Sequence, residues 1–349
     1  MNKKTIAVLF GGCSTEYEVS LQSAASVIEG IRTDKYDIVM LGITRQGIWK
    51  RYAGSVELIS NDTWTHHPSC VPAFISPDRA IHGLVALKDG KAVVTSIDVA
   101  FPVLHGKNGE DGTVQGLLEL AGIPCVGCGT LSSAICMDKD IAHRLAELAG
   151  IPVAQSVVIY SPTASDTLLN ATAHLRYPIF VKPACAGSSF GITKVSSPDR
   201  LPDAVKEAFE HDHKVVIEQG VDGFEVGCAV LGNDKLIVGE VDEIELSRGF
   251  FDYTEKYTLK SSRIHMPARI HPDTAMRIKN TAKVVYKALG CRGFARVDMF
   301  LTPEGEIVFN EVNTIPGFTA HSRYPGMIKG IGMSFEVIID TLISLAVEP

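Results

Sequence analysis

The chain reads as an α/β protein of two or three lobes, and three observations point there. Its 349 residues exceed a usual single-core domain. Near the N-terminus a β-type apolar run at residues 5–10 meets a Gly11-Gly12 break and then a helical pattern reaching Ile31, which is the opening unit of a doubly wound layer. Further on, pairs of apolar runs separated by turn residues mark hairpins, the clearest at residues 293–313.

Composition removes several classes. A net charge of -7 without a polybasic run argues against nucleic acid or an anionic membrane as the main partner. The N-terminal segment shows no cleavage site, and no stretch approaches about 20 apolar residues, so a soluble cytoplasmic protein is expected. Eight cysteines include one Cys125-x-x-Cys128 pair without a second pair or spaced histidines; they are expected to be reduced, mostly buried thiols.

In chain order, Ser14 or Thr15 is expected to cap the first helix, with Thr15-x-x-Glu18 resembling a capping box. Glu16 then sits beside the helix N-terminus, placed to grip an ammonium group. The glycines do not follow G-x-G-x-x-G, and the next strand at 37–41 ends without an acid, which disfavours a dehydrogenase. Residues 49–89 read as a surface excursion and are assigned no chemistry. A strand at 97–104 leads into His105-Gly106-Lys107-Asn108-Gly109-Glu110-Asp111-Gly112, a close-approach loop at a strand end where α/β proteins bind ligands. Glu-Leu-Ala-Gly-Ile-Pro occurs at 119–124 and again at 147–152; glycine suits the left-handed C-cap and proline forbids continuation, so each copy is a helix stop. The first lobe is expected to end near Gly127, and one helix over 131–149, carrying Lys139, to open the second.

A strand at 177–181 delivers Lys182, and the small residues of 184–191 before the next strand form a flap whose amides can wrap phosphate oxygens. It is not a Walker loop, since G-x-x-x-x-G-K-[ST] is absent. The strand at 215–218 runs into a linker with Val221 and Glu225, where backbone can pair an adenine edge and Glu225 a ribose. Residues 247–262 lack apolar periodicity and read as a lid with Lys256 and Tyr257 as site candidates. Helices follow at 274–289 and 335–347.

In the hairpin, Thr302-Pro303-Glu304-Gly305 is the turn. Pairing Thr302 with Gly305 sets Arg296 opposite Glu311 and puts Arg296, Asp298, Glu311 and Asn313 on one face. Two carboxylates and a carboxamide suit Mg2+, and the arginine suits developing negative charge. Asn313-Thr314-x-Pro316-Gly317 turns backbone N–H groups into the same space.

Together these segments resemble the D-alanine:D-alanine ligase family of ATP-grasp enzymes from Ile6 to the C-terminal helix. The carrying motifs are His105-Gly106-x-x-Gly109-Glu110-Asp111-Gly112-Thr113-x-Gln115-Gly116, and Gly293-x-x-Arg296-x-Asp298 with Glu311-x-Asn313-Thr314-x-Pro316-Gly317. The resemblance implies an ATP-grasp fold of three lobes: residues 1–127, Rossmann-like and binding the first D-alanine; 128–219 with the phosphate flap; and 220–349 with lid and metal site. It implies ATP and two Mg2+, with Mn2+ able to substitute, held by Asp298, Glu311 and Asn313; phosphate contacts from Lys139, Lys182, Lys256 and Ser189; and adenosine contacts from Glu218, Val221 and Glu225. Glu16, in a network with Ser188 and Tyr257, would bind the first ammonium, His105 would lie near the first carboxylate, and Arg296 with the Gly317 N–H would form the oxyanion site. A homodimer is also implied. One departure is Cys185-Ala186, where many members carry Arg-Glu in the flap.

The acceptor expected is D-serine, with a role in vancomycin resistance. By the family pattern, in which D-lactate ligases typically lack the lid tyrosine, Tyr257 implies an amine acceptor rather than D-lactate, and Ala320-His321-Ser322-Arg323 replaces the usual Ser-His-Ser-Leu, exchanging an apolar wall for donors. Phe251 stands where common members have tyrosine, and Asp242 is placed to hold Arg323. A housekeeping D-alanine acceptor, and a nucleotide-binding sensor without ligase chemistry, are the competing readings.

Overall fold

The structure, a computed structural model, describes residues 3–187, 191–246 and 262–348. The roles expected of Ser188, Ser189, Phe251, Lys256 and Tyr257, and the lid at 247–261, lie outside the described residues.

The first sheet runs, from one edge to the other, through Lys91–Ser96, Gly83–Lys88, Val71–Ile75, Trp49–Tyr52, Tyr36–Ile43, Lys4–Gly11 and Val99–Val103. Its centre, β1 (Lys4–Gly11), pairs parallel with β2 (Tyr36–Ile43) and with β7 (Val99–Val103). Residues Ile6, Ala7, Val8, Leu9 and Phe10 are all fully buried, because both faces are covered. Helix α1 (Tyr17–Gly30) and the C-terminal helix Phe335–Ala346 pack with Ile6, Val8 and Phe10, while residues of 113–121 pack with Ala7 and Leu9. The expected caps of α1 are not used: Glu16 is the N-cap residue and its side chain makes no capping hydrogen bond, and the Ser14 hydroxyl instead accepts from the Glu16 N–H and donates to the His105 carbonyl. That bond stitches the two strand-end loops together.

Residues 49–89 are not a surface excursion. They form β3 (Trp49–Tyr52), α2 (Val56–Ser60), β4 (Val71–Ile75) and β5 (Gly83–Lys88), which with β6 (Lys91–Ser96) extend the sheet antiparallel. Trp64 is fully buried against Phe10 and Tyr52, at ring distances of 5.0 and 6.0 Å. Each strand is too short for its alternation to stand out.

Both helix stops form as expected. Gly122 ends α3 (Thr113–Ala121) at φ 71°, and Gly150 takes φ 80° after α5 (Lys139–Leu148). The helix expected over 131–149 is broken into α4 (Thr130–Met137) and α5 at Asp138, whose carboxylate caps α5 through the Ile141 N–H and pairs with Lys214. The break sets Lys139 at the start of a helix rather than in its middle.

The second sheet, β10-β9-β11-β8, comprises β8 (Ser156–Ile159), β9 (Ile179–Pro183), β10 (Thr193–Val195) and β11 (Val215–Gln219). Its core is closed by Leu168 of α6 (Ser165–Ala171) and by Leu201 and Val205 of α7 (Leu201–Ala208). The third sheet, β14-β13-β12-β15-β16, comprises β12 (Phe224–Leu231), β13 (Ile237–Leu246), β14 (Ser262–His265), β15 (Phe294–Leu301) and β16 (Ile307–Asn313), with Ile278, Ala282 and Val285 of helix Pro272–Ala288 packed on it.

The hairpin register differs from the expected one by two single-residue shifts. The Thr302 N–H bonds to the Glu306 carbonyl and Gly305 takes φ 82°, so the turn holds one residue more. A bulge after Asp298 then adds Asn310, whose carbonyl meets His143 Nε2 at 2.7 Å. Arg296 therefore pairs with Asn313, and Asp298 with Glu311. One shift would turn Glu311 and Asn313 to the other face; two restore it.

Described cysteines carry no disulfide; Cys13 and Cys185 are exposed rather than buried. No described helix is long and apolar enough to cross a membrane.

Candidate active site

The polar face of β15 and β16 is a closed charge network. Arg296 donates through Nε and Nη2 to Asp298 at 2.8 and 2.7 Å, and Asn313 Nδ2 donates to Asp298 at 2.9 Å. Asp298 is 1% exposed. Burial pulls the Arg296 guanidinium down, but Asp298 outweighs it and holds the group above its usual value. Across the hairpin, Glu311 Oε2 stands 3.9 Å from Lys139 Nζ, which also donates to the Ala186 carbonyl at 2.7 Å and so ties the flap entrance to α5.

The donor set fits a hard cation. Among the described residues no three His, Cys, Asp or Glu side chains are grouped to hold a metal. Asp298 and Glu311 are a carboxylate pair on facing strands, and the third oxygen has to come from the Asn313 carboxamide. Because that amide turns its nitrogen to Asp298, ligation by both needs the opposite amide orientation.

Next to this face, the Arg323 side chain is 10% exposed and points inward rather than to solvent. Its Nε and Nη2 bond to Asp242 at 2.7 and 2.8 Å, its Nη1 to Glu225 at 3.1 Å, and its Nη2 lies 3.5 Å from Asp298. Asp242 is fully buried, and it also accepts from the Gly227 N–H at 2.9 Å. Gly227 makes room: a Cβ there would lie 2.3 Å from Arg323 Nη2 and 2.6 Å from Asp242 Oδ1. Gly227→Ala is expected to push the guanidinium away and raise the acceptor KM about tenfold, with ATP KM unchanged, as initial-rate kinetics would show.

The first sheet contributes the third wall. Gly106 and Gly187 close on the Glu16 carboxylate so tightly that a Cβ on either would come within 2.7 and 2.9 Å of Oε2. Gly187 precedes Ser188 in the flap, so the flap entrance lies beside Glu16. His105 is buried with Nδ1 at 2.7 Å from the Ile315 carbonyl and Nε2 at 3.2 Å from Ser23 Oγ. Burial holds its pKa below the usual value, so the ring is neutral. Glu110 accepts from the Gly106 and Ile315 N–H groups, both at 2.8 Å; desolvation and nearby Glu16 push its carboxyl up to about 8.

A cavity of about 450 Å³ brings together Glu16, His105, Arg296, Gly317, Ser322 and Arg323. A smaller one of about 30 Å³ joins Glu16 and Glu110 to Lys139, Glu311 and Asn313. Lys182 sits on the second sheet, 2.8 Å from Glu218, with both side chains buried. Burial alone would raise the Glu218 carboxyl, but Lys182, with His143 and Lys139, outweighs it and holds the group below the usual carboxylate range. Val221 is half-buried on the linker to β12, and Glu225, expected at a ribose, is ion-paired to Arg323. Sequence reasoning gave no role to Ser23, Glu110 or Gly227. Glu110 lay inside a motif already quoted; for Ser23 and Gly227 only their small size was a signal.

Two family models match this chain, the D-ala D-ala ligase N-terminus over residues 5–128 and the D-ala D-ala ligase C-terminus over residues 145–344. The chain belongs to the D-alanine–D-alanine ligase family. As a member it is an ATP-dependent ligase with a mixed α/β, ATP-grasp architecture. The ligase is similar to the crystal structure of VanG D-Ala:D-Ser ligase from Enterococcus faecalis, with 59% identity, a TM-score of 0.93, and coverage of 99% of this chain and 100% of that one. It is 48% identical to the vancomycin B-type resistance protein VanB of Enterococcus faecalis over 100% of both chains. It is 47% identical to a D-alanine–D-alanine ligase of Caldicellulosiruptor bescii, over 100% of this chain and 96% of that one.

Proposed function

We propose that this ligase joins D-alanine to D-serine for a vancomycin-resistant cell wall. The observation that carries the acceptor assignment is the inward-pointing Arg323, held by Asp242 and Glu225 and lining the same cavity as Arg296 and Gly317. An acceptor hydroxyl there meets a charged donor, worth about 1.5–3 kcal/mol, or tenfold to over a hundredfold in discrimination. The 59% identity to a D-Ala:D-Ser ligase supports the same reading.

In this reading residues 1–127 bind the first D-alanine, 128–219 carry the flap, and 220–349 carry the lid and the cation face. The first D-alanine lies with its ammonium at Glu16, near Ser188 and Tyr257, and its carboxylate toward His105. A carboxylate oxygen bonds to the γ-phosphorus of ATP as the bond to the β-bridging oxygen breaks, giving an acyl phosphate and ADP. The acceptor amine then attacks the acyl carbon, and as the C–O bond breaks the departing phosphate takes up the amine proton, leaving the amide and inorganic phosphate. Arg296 and the Gly317 N–H stabilise the oxyanion. Lys139, Lys182, Lys256 and Ser189 hold phosphates, and Glu218, Val221 and Glu225 hold adenosine, Glu225 reaching the ribose from its place beside Arg323. Asp298, Glu311 and Asn313 would hold two Mg2+ ions, or Mn2+, which neutralise charge on the transferring phosphoryl group. Ser322 and Phe251 complete the acceptor wall. The same reading places the enzyme in the cytoplasm as a homodimer, with small molecules as its only substrates.

Phosphate release with D-alanine alone, then with D-serine added and product masses recorded, tests this. D-alanine-dependent release is expected, rising with D-serine. ATP binding without D-alanine-dependent release would make the chain a nucleotide sensor instead.

A further inference from the structure

The turn that presents Gly317 is held from outside the third sheet. It leaves β16, yet its peptide groups bond to loops and a helix of the first sheet. The Ile315 carbonyl accepts from His105 Nδ1 at 2.7 Å, the Ile315 N–H donates to Glu110 Oε1 at 2.8 Å, and the Phe318 N–H donates to Ser23 Oγ at 3.1 Å. The other Glu110 oxygen accepts from the Gly106 N–H at 2.8 Å, so one carboxyl group bridges two loops that lie 205 residues apart in sequence.

The proton assignments form one consistent set. A carbonyl only accepts, so His105 Nδ1 carries the hydrogen and Nε2 accepts from the Ser23 hydroxyl. The Ser23 oxygen is then free to accept from Phe318. Ser23 is fully buried, and His105, Ile315 and Phe318 are each at most 4% exposed, so no solvent competes for these bonds. The Phe318 ring is packed on Phe101, Phe294 and Tyr324, which fixes the far end of the turn.

We propose that Ser23 and Glu110 are positioning residues for the oxyanion turn, setting the Gly317 N–H against Arg296 only when the first and third sheets are seated on each other. This rests on the assignment of Arg296 and Gly317 to the oxyanion above. Each acts through the peptide it holds: Ser23 through the Phe318 N–H, and Glu110, which also lines the cavity, through the Gly106 and Ile315 N–H groups. Assembly of the oxyanion site is thereby tied to the seating of the lobe that carries Glu16.

The test is steady-state kinetics of wild type, Glu110→Gln, Ser23→Ala and the double variant on the full chain, with ATP, Mg2+, D-alanine and D-serine. Phosphate and dipeptide are counted separately. Glu110→Gln keeps volume but turns an NH2 toward one of the two N–H donors, so one bridge is lost. The expected result is kcat lower by about 10²-fold, as misplacement of about 1 Å can cause, with ATP KM within about twofold and the melting midpoint nearly kept. Phosphate released per dipeptide should exceed one, because an ill-held acyl phosphate goes to water. The double variant should lose little more than the worse single, since both act on one turn. Glu110→Gln with wild-type kcat and one phosphate per dipeptide overturns the inference, as does a loss of activity that only tracks lost ATP affinity or thermal stability. Should Ser23→Ala fail to fold, Glu110→Gln decides alone. A wild type that makes no D-alanyl dipeptide sinks the functional reading itself; a wild type that ligates beside an unaffected Glu110→Gln sinks only the positioning role.

Discussion

Glu311→Gln is expected to lower the ligation kcat by about a thousandfold, roughly 4 kcal/mol of transition-state stabilisation, while leaving the fold intact. Glu311 faces Asp298 across the hairpin and lies 3.9 Å from Lys139 Nζ. The amide keeps the volume and removes one negative charge from a face that already holds Arg296, Arg323 and Lys139. Glu311 is 21% exposed, and buried Lys139 keeps its bond to the Ala186 carbonyl when the Glu311 charge is removed, so stability should largely hold. Turnover at saturating Mg2+, measured beside circular dichroism and the melting midpoint, checks this. Near wild-type turnover would show that Glu311 holds no cation.

Arg323→Leu is expected to destabilise the protein by about 3–5 kcal/mol, because it leaves Asp242 fully buried with its charge uncompensated. The single variant therefore confounds acceptor choice with stability. Arg323→Leu combined with Asp242→Asn removes both charges and should recover most of the loss. In the double variant D-alanine should gain over D-serine by at least about tenfold, as loss of a charged donor predicts, with ATP affinity kept. Urea unfolding and acceptor competition read the two effects separately. A stable double variant with unchanged acceptor preference would remove Arg323 from the acceptor wall.

What was legible in the sequence was whatever chain-local chemistry decides. The run Ile6–Phe10 announced a strand covered on both faces, and Gly122 and Gly150 announced their helix ends, because a left-handed residue followed by proline leaves the backbone few options. Strand alternation is local, so it groups Arg296 with Asp298 and Glu311 with Asn313; that the two pairs share a face holds only because two single-residue register shifts cancel. The second shift depended on Asn310, whose carbonyl is satisfied by His143 from a distant helix. Asp138 broke a helix for a similar reason: its carboxylate answers Lys214 as well as the helix end. Residues 49–89 give no clear signal because strands of four to six residues are too short to show a period and become buried only once assembled into the sheet. Within the site, charged residues in motifs could be named, and Asp242 was picked out as the holder of Arg323; the contact is present in the fold. Ser23, Glu110 and Gly227 act by where they let a backbone or a guanidinium sit, which single-residue chemistry does not reveal.

Acceptor choice is tested most directly by competition between the two amino acids. Wild-type enzyme would be given ATP, Mg2+ and a mixture of D-alanine and D-serine at neutral pH, with the dipeptides resolved by mass. D-alanyl-D-serine is expected to dominate by at least about tenfold, the lower bound for one satisfied bond to a charged group. D-alanyl-D-alanine formed as efficiently as D-alanyl-D-serine would contradict the assignment and make this a housekeeping D-alanine–D-alanine ligase.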